Sequence, residues 1–191
     1  MVERRDLPLL AWGEALRAAK ARRRRRLARR GLVAGILCLG LGATIVAPPL
    51  PRLVWNASAS APLGLYRVAP GLPVRRGDMV IARLPLALRD LAARRRYIPA
   101  NVPLVKRVAG AEGDRVCAAG ATIAVNGRSV AKRRVADRLG RPLPWWEGCR
   151  TLADGALFLL MTEAPDSFDG RYFGPTAPGD VIGKAIPLWV R

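Results

Sequence analysis

The chain has 191 residues, with 33 lysines and arginines against 14 aspartates and glutamates and no histidine, so its formal net charge is +19. That length allows one domain plus a short appendage, and a body of roughly 140 residues can bury a substantial core. The absence of histidine excludes sites that need imidazole, including Ser-His-Asp triads and histidine-ligated metal centres. The positive charge fits either nucleic acid or an anionic membrane surface, so its distribution along the chain matters.

The N-terminal region concentrates positive charge immediately before an apolar segment. Residues 1–30 hold eleven basic and three acidic residues, a local net charge of +8. Residues 31–51 are 21 consecutive uncharged positions, and a helix needs ~20 apolar residues to cross a bilayer. We therefore predict a basic cytoplasmic segment (1–30), a transmembrane anchor (31–51) and an exported domain (52–191).

The arginine run RRRRRLARR before the apolar segment sets the predicted topology. By the positive-inside rule the run stays in the cytoplasm, which in a bacterium puts the anchor in the inner membrane and the following domain in the periplasm. We therefore expect the lipid bilayer as a partner and do not expect nucleic acid. A cleavable signal peptide is the alternative, since Ala57-Ser58-Ala59 resembles a processing site.

The exported part is predicted to be mainly β. Its apolar runs are short, rich in Val and Ile, and separated by Gly and Pro; they are residues 77–84, 114–118, 121–130, 155–161 and 179–190. The dipeptide Asn126-Gly127 favours a type I′ hairpin turn. Residues 86–97, bounded by Pro85 and Pro99, are the helical candidate and are predicted to be a surface insertion.

The positions of the three cysteines agree with the predicted topology. Cys38 lies in the apolar segment, whereas Cys117 and Cys149 lie in the exported part, where an oxidising compartment permits a disulfide. Two separate buried thiols are the alternative. The cysteines lack C-x-x-C spacing and histidine is absent, so we predict no metal site and no cofactor.

In a chain without imidazole, a neutral lysine amine is the most plausible general base for a serine nucleophile such as Ser60. Of the four lysines, Lys20 is predicted to be cytoplasmic, Lys132 lies in a charged run and Lys184 lies near the C-terminus. Lys106 is flanked by apolar residues, as a lysine on a strand lining an apolar site would be, and burial would lower its pKa from about 10.4. An ordinary surface lysine is the alternative at this position.

Three sequence blocks follow one another in the exported part: SASAPLGLY (58–66), LVKRVAGAEGDRV (104–116) and SFDGRYFGP (167–175). In this order after an N-terminal apolar segment, they resemble the serine/lysine-dyad signal peptidases. The resemblance covers nearly all of residues 53–190. The segments 94–108 and 140–152 resemble the conjugative-transfer branch of that family, often called TraF-like.

The resemblance implies a catalytic dyad with Ser60 as the nucleophile and Lys106 as the base. It also implies that the Ser58 hydroxyl and the Ser60 backbone N–H hold the oxyanion of the tetrahedral intermediate. Ser58 could instead merely form a turn or complete the glycosylation sequon Asn56-Ala57-Ser58.

The third block implies three supporting residues. Ser167 would orient Lys106 by a hydrogen bond, and Asp169 and Arg171 would form a structural ion pair beside the site. Two positions depart from the family pattern, because Ala61 stands where Met is usual and Gly170 stands where Ser is common. Neither position does chemistry, so the departures affect the expected shape of the substrate pocket rather than the assignment.

The resemblance also implies a fold and a function. The expected fold is an antiparallel coiled β-sheet catalytic domain behind one transmembrane helix. The expected function is a membrane-anchored serine endopeptidase that processes an exported precursor, a propilin in the conjugative branch, with cyclisation as one outcome. The alternatives are a general type I signal peptidase that removes leader peptides, a non-catalytic anchored scaffold of a secretion or pilus apparatus, and a DNA-binding repressor with a self-cleaving domain.

Overall fold

The computed structural model describes residues 8–47 and 50–191. Residues 1–7 of the predicted cytoplasmic segment, and Pro48 and Pro49 of the predicted anchor, lie outside the described residues. The chain divides into two compact units, Met1–Leu50 and Pro51–Arg191.

In the part of the chain that the structure describes, the first unit contains one long helix, α1 (Pro8–Val46), of 39 residues. At 1.5 Å per residue it is about 58 Å long. Residues 8–30 of the predicted basic segment and residues 31–46 of the predicted span therefore lie on one uninterrupted helix. Within the described residues it is the one helix long and apolar enough to cross a membrane, and none of its apolar window is buried inside the protein. The prediction of an N-terminal apolar helix is confirmed, and its exposed apolar side chains suggest a membrane anchor.

Within residues 50–191 the second unit contains ten strands. In chain order they are β1 (Leu53–Asn56), β2 (Gly64–Ala69), β3 (Met79–Ala82), β4 (Leu104–Gly110), β5 (Arg115–Ala119), β6 (Thr122–Val125), β7 (Arg128–Lys132), β8 (Gly148–Thr151), β9 (Phe158–Leu159) and β10 (Val181–Val190). They form a six-stranded sheet in the order β1-β2-β10-β3-β4-β9 and a four-stranded sheet in the order β7-β6-β5-β8. Neighbouring strands pair antiparallel, which confirms the mainly β prediction.

The predicted hairpin turn joins β6 to β7. Asn126 and Gly127 have φ angles of 52° and 76°, as both central residues of a type I′ turn require. The run 155–161 is predicted as one strand, but only Phe158–Leu159 forms a strand, and its ladder with β4 shifts register between Val108 and Gly110.

Two short helices complete the second unit, together with a 3₁₀ turn at Pro178–Asp180. The helical candidate forms α2 (Leu86–Arg94), which ends three residues earlier than predicted because Arg96 has a left-handed φ of 58°. It packs through Ala92 onto Leu104 of β4. The other helix, α3 (Gly170–Phe173), is a single turn that the hydrophobic pattern did not predict.

Cys117 on β5 and Cys149 on β8 form a disulfide. The two residues lie directly opposite each other in the antiparallel register of these strands. The disulfide closes a sequence separation of 32 residues and joins an exposed edge strand to the interior of the four-stranded sheet.

Candidate active site

Ser60 lies in the loop that connects β1 to β2, and Asn56 organises that loop. Asn56 is buried at the end of β1, and its Oδ1 accepts a hydrogen bond from the Ser58 backbone N–H (3.1 Å). Its Nδ2 lies within 3.0–3.1 Å of the carbonyl oxygens of Ser58, Ala61 and Pro62, which share its two hydrogens. One amide side chain therefore fixes both sides of the turn that carries Ser60.

From the sequence, Asn56 is identified only as the first residue of a glycosylation sequon, and this role was not predicted. The available signal was an asparagine at a strand end followed by small residues, the pattern of an Asx turn in which the side chain bonds the backbone two residues on. The longer-range bonds to Ala61 and Pro62 depend on the folded loop and have no sequence signature.

Lys106 lies on β4, where its register partner on β3 is Val80. Only 3% of Lys106 is exposed. Its Nζ donates to Ser60 Oγ at 2.8 Å and to Ser167 Oγ at 2.8 Å. The three predicted residues are therefore brought together around one amine.

Burial lowers the pKa of Lys106 to about 8, because an ammonium is poorly solvated in the protein interior. Two nearby charges act in opposite directions, since Asp169 raises the pKa and Arg171 lowers it. With a pKa of about 8, about a tenth of the molecules carry a neutral amine at pH 7, against about 0.04% for an ordinary lysine. Such an amine can accept the proton of the neighbouring hydroxyl.

Ser58 adds a second hydroxyl next to Ser60. Its Oγ lies 3.0 Å from Ser60 Oγ, and it accepts a long hydrogen bond of 3.4 Å from the Ser60 backbone N–H. The Ser58 hydroxyl therefore lies next to both the hydroxyl and the backbone N–H of the candidate nucleophile.

Asp169 and Arg171 form a buried pair at the start of α3. Arg171 Nε donates to Asp169 Oδ1 at 2.8 Å, and the two side chains are 2% and 0% exposed. Asp169 Oδ2 also accepts from the Met161 backbone N–H at 3.0 Å. Arg171 donates to the carbonyl oxygens of Met161, Ala164 and Pro165 at 2.7–3.0 Å.

These bonds define what the ion pair does. They hold residues 161–165 around the Arg171 guanidinium, and the Ser167 backbone N–H donates to the Ala164 carbonyl oxygen at 3.0 Å. Every buried donor of the guanidinium has a partner, as a buried charge requires. The pair therefore fixes the position of Ser167 Oγ relative to Lys106 rather than meeting the candidate nucleophile itself.

Gly170, between the two charged residues, has no room for a side chain. A Cβ there would lie 2.6 Å from the Leu159 carbonyl oxygen and 2.8 Å from Phe158 Cε2. The glycine that departs from the family pattern therefore allows α3 to pack directly on β9 in this chain.

A groove of about 860 Å³ runs past Ser60 and Lys106. One wall comes from the β1–β2 loop, and the others come from three segments: residues 95–99 after α2, residues 134–143, and residues 163–168. Its lining is mainly apolar, with Leu104 and Val105 among the buried residues next to Lys106. A groove of this size can hold an extended peptide segment.

The comparisons with known proteins identify the class. The family described as "Signal peptidase, peptidase S26" matches residues 24–189, so the chain belongs to this peptidase family. The family prediction is confirmed.

Relatives include proteins named for conjugative transfer. A "Plasmid transfer protein TraF" from Escherichia coli is 34% identical over 156 residues, which cover 75% of this chain and 87% of the relative.

A "Conjugal transfer protein TraF" from Agrobacterium fabrum (strain C58 / ATCC 33970) is 34% identical over 144 residues, covering 70% of this chain and 80% of the relative. A crystal structure of a signal peptidase I from Enterococcus faecalis V583 matches 61% of this chain and 98% of that chain, with 21% identity and a TM-score of 0.34. The family assignment depends on the sequence matches.

Proposed function

We propose that this peptidase is a membrane-anchored serine endopeptidase in which Ser60 is the nucleophile and Lys106 is the general base. The single observation that carries the proposal is the 2.8 Å contact between Lys106 Nζ and Ser60 Oγ, made by a lysine that is 3% exposed. Burial gives that amine a pKa of about 8, which suits a base that operates near neutral pH.

The reaction begins when neutral Lys106 accepts the proton of the Ser60 hydroxyl. Ser60 Oγ then bonds to the carbonyl carbon of the scissile peptide, and the carbonyl oxygen becomes an oxyanion. The Ser60 N–H and the Ser58 hydroxyl donate to that oxyanion. Protonated Lys106 gives its proton to the leaving amine as the C–N bond breaks, which leaves an acyl-enzyme on Ser60.

The acyl-enzyme is released by a second nucleophile. Water or a primary amine attacks the ester carbonyl, and Lys106 takes the proton of the attacking group. Lys106 then gives this proton to Ser60 Oγ as the ester C–O bond breaks, which restores the Ser60 hydroxyl and the neutral amine. Water gives a linear product. An amine at the other end of the same chain gives a cyclic one. Ser167 holds Lys106 in place throughout through its 2.8 Å bond to Nζ.

The substrate is an exported precursor protein, and we propose a conjugative propilin. The relatives named as conjugal-transfer proteins support this choice over general leader-peptide removal. The arginine-rich segment before the apolar part of α1 supports a cytoplasmic N-terminus and a periplasmic catalytic domain at the bacterial inner membrane.

Mass spectrometry of small exported proteins tests the proposal in cells that express either the wild type or Ser60→Ala. We expect Ser60→Ala to leave one precursor uncleaved, and a cyclic product of the wild type to be lighter than the linear one by one water. Ser129→Ala, at an exposed serine of β7, is the matched control and keeps processing. Equal processing by Ser60→Ala and the wild type contradicts the proposal and favours a non-catalytic scaffold.

A further inference from the structure

The segment that joins the two edge strands of the four-stranded sheet reaches across to α3. We call residues 133–147 the strap. The Trp146 indole N–H donates to the Gly170 carbonyl oxygen at 3.1 Å. The Arg134 backbone N–H donates to the Tyr172 hydroxyl at 3.3 Å. The strap therefore contacts the helical turn that carries Arg171 at two points.

Arg133 anchors the first end of the strap. It is only 3% exposed, and its Nη1 donates to the Trp146 carbonyl oxygen at 2.6 Å while its Nε donates to the Gly120 carbonyl oxygen at 2.9 Å. Its guanidinium lies 3.5 Å from the centre of the Trp145 ring. A buried arginine is tolerated only when its donors are satisfied, and here one of those donors holds the backbone of Trp146.

The Cys117–Cys149 disulfide anchors the other end. All four residues of β8 are exposed, so this edge strand gains little from packing. The disulfide links β8 covalently to β5 through Cys149, which lies two residues after Glu147 at the end of the strap. Both ends of the segment that carries Trp146 are therefore fixed.

The helical turn α3 contacts both the strap and β9. On the β9 side, Gly170 is so close that an added Cβ would meet the Leu159 carbonyl oxygen at 2.6 Å. Directly after the end of α3, an added Cβ at Gly174 would lie 3.7 Å from the Trp146 ring. Trp146 also packs edge-on against Phe158, with ring centres 6.4 Å apart.

We propose that Trp146 is a positioning residue for the candidate dyad: by holding Gly170, it fixes the Asp169–Arg171 pair and through it the Ser167 hydroxyl that orients Lys106. The inference rests on the proposed function, in which Lys106 is the base. The chain of contacts runs from the Trp146 indole to Gly170, from the ion pair to residues 161–165, and from Ser167 to Lys106 Nζ. Each step is a hydrogen bond or a peptide link.

The test compares Trp146→Phe with Trp145→Phe in the purified full chain in detergent micelles. Phenylalanine keeps an aromatic ring but lacks the indole N–H. Trp145 is the matched control because its indole donates to Glu147, away from α3. The first readout is an NMR titration of selectively labelled lysine side chains, which is tractable because the chain has four lysines. The second is the rate at which a p-nitrophenyl ester acylates Ser60, followed by intact mass.

We expect Trp146→Phe to raise the pKa of Lys106 by about one unit, because a looser Ser167 segment admits water to the amine. Acylation at neutral pH should then slow roughly tenfold, since each unit removes nine tenths of the neutral amine. Trp145→Phe should change neither value. A Trp146→Phe variant that is folded and has the wild-type Lys106 titration overturns the inference.

A second variant keeps the inference testable if Trp146→Phe does not fold. Replacing both Cys117 and Cys149 with serine releases the far end of the strap without touching α3, and we expect a shift of the Lys106 titration in the same direction. An unchanged titration in that variant contradicts the inference. If the ester acylates the wild type and Ser60→Ala equally, the proposed function fails, whereas the Lys106 titration still decides the positioning role.

Discussion

Lys106 Nζ and Ser60 Oγ lie 2.8 Å apart, although the two residues are 46 positions apart in the sequence. Ser60 is presented by a loop after the edge strand β1, whereas Lys106 lies inside β4 in the same six-stranded sheet. The contact therefore depends on the antiparallel pairing that brings these strands into one sheet. It also requires the Lys106 side chain, which is positively charged when protonated, to stay buried.

Removal of the Ser58 hydroxyl is predicted to lower the rate of Ser60 acylation and to change the free energy of unfolding little. It lies 3.0 Å from Ser60 Oγ at an exposed position of the loop. Ser58→Ala should slow Ser60 acylation by about 10²–10³-fold, the usual effect of removing one oxyanion donor. Stopped-flow measurement of acylation checks this. A rate within a few-fold of the wild type would remove Ser58 from the oxyanion site.

Lys106 is predicted to destabilise the fold at neutral pH. Its folded pKa of about 8 lies below the ordinary value, so the folded state binds fewer protons than the unfolded state between these values, and stability rises with pH there. A difference of about 2.5 pKa units corresponds to about 3 kcal/mol.

Lys106→Met removes this titration. The difference in the free energy of unfolding, Lys106→Met minus wild type, should be largest below pH 8. It should fall by about 3 kcal/mol as the pH rises to about 10.5, because the wild type gains stability over this range. Urea unfolding in detergent micelles across this range measures the difference. Lys132→Met, at an exposed position of β7, is the control. A difference for Lys106→Met that does not vary with pH would contradict the burial of a titrating amine.

Asn56 is predicted to be needed for the shape of the nucleophile loop. Asn56→Asp keeps the side-chain volume but replaces the Nδ2 donor with a carboxylate oxygen. That oxygen would lie next to the three backbone carbonyl oxygens that now accept from Nδ2, and it cannot donate to them. We expect a loss of about 2–3 kcal/mol in stability and slower acylation of Ser60. Thermal unfolding and acylation rates check this against Asn101→Asp at an exposed position. Equal effects of the two substitutions would argue against a specific role for Asn56.

A serine at position 170, which is common at this position in the family, is predicted to destabilise this protein. A Cβ at Gly170 would lie 2.6 Å from the Leu159 carbonyl oxygen, whereas a Cβ at Gly179 meets nothing within 4 Å. Gly170→Ser should therefore lower stability by about 1–3 kcal/mol, and Gly179→Ser should not. Denaturant unfolding of the two variants makes the comparison. A Gly170→Ser variant as stable as Gly179→Ser would mean that α3 relaxes without strain.

Lys106 was predictable because lysine is rare in this chain, whereas Ser58 and Ser167 were predicted from the resemblance of their sequence blocks to the signal peptidases. With no histidine and four lysines, the choice of base narrows to Lys106, and the block around Ser167 adds the third member of the contact group. The structure then brings Ser60, Lys106 and Ser167 together around one buried amine.

Other features depend on tertiary contacts that leave little trace in the sequence. The strand β8 is fully exposed and shows no apolar alternation, so only its pairing with β5 and the disulfide identify it. The turn α3 has four residues and is held by the Asp169 cap and by Trp146 rather than by helix propensity. Asn56 acts on carbonyl oxygens that converge only after the loop has folded.

The pH dependence of Ser60 acylation tests the central claim most directly. If Lys106 is the base, the acylation rate of the wild type should rise with pH and reach half its maximum near the pKa of about 8, and Lys106→Met should lose the reaction. A Lys106→Met variant that acylates Ser60 at the wild-type rate, or a wild-type rate that is flat across this range, would contradict the account.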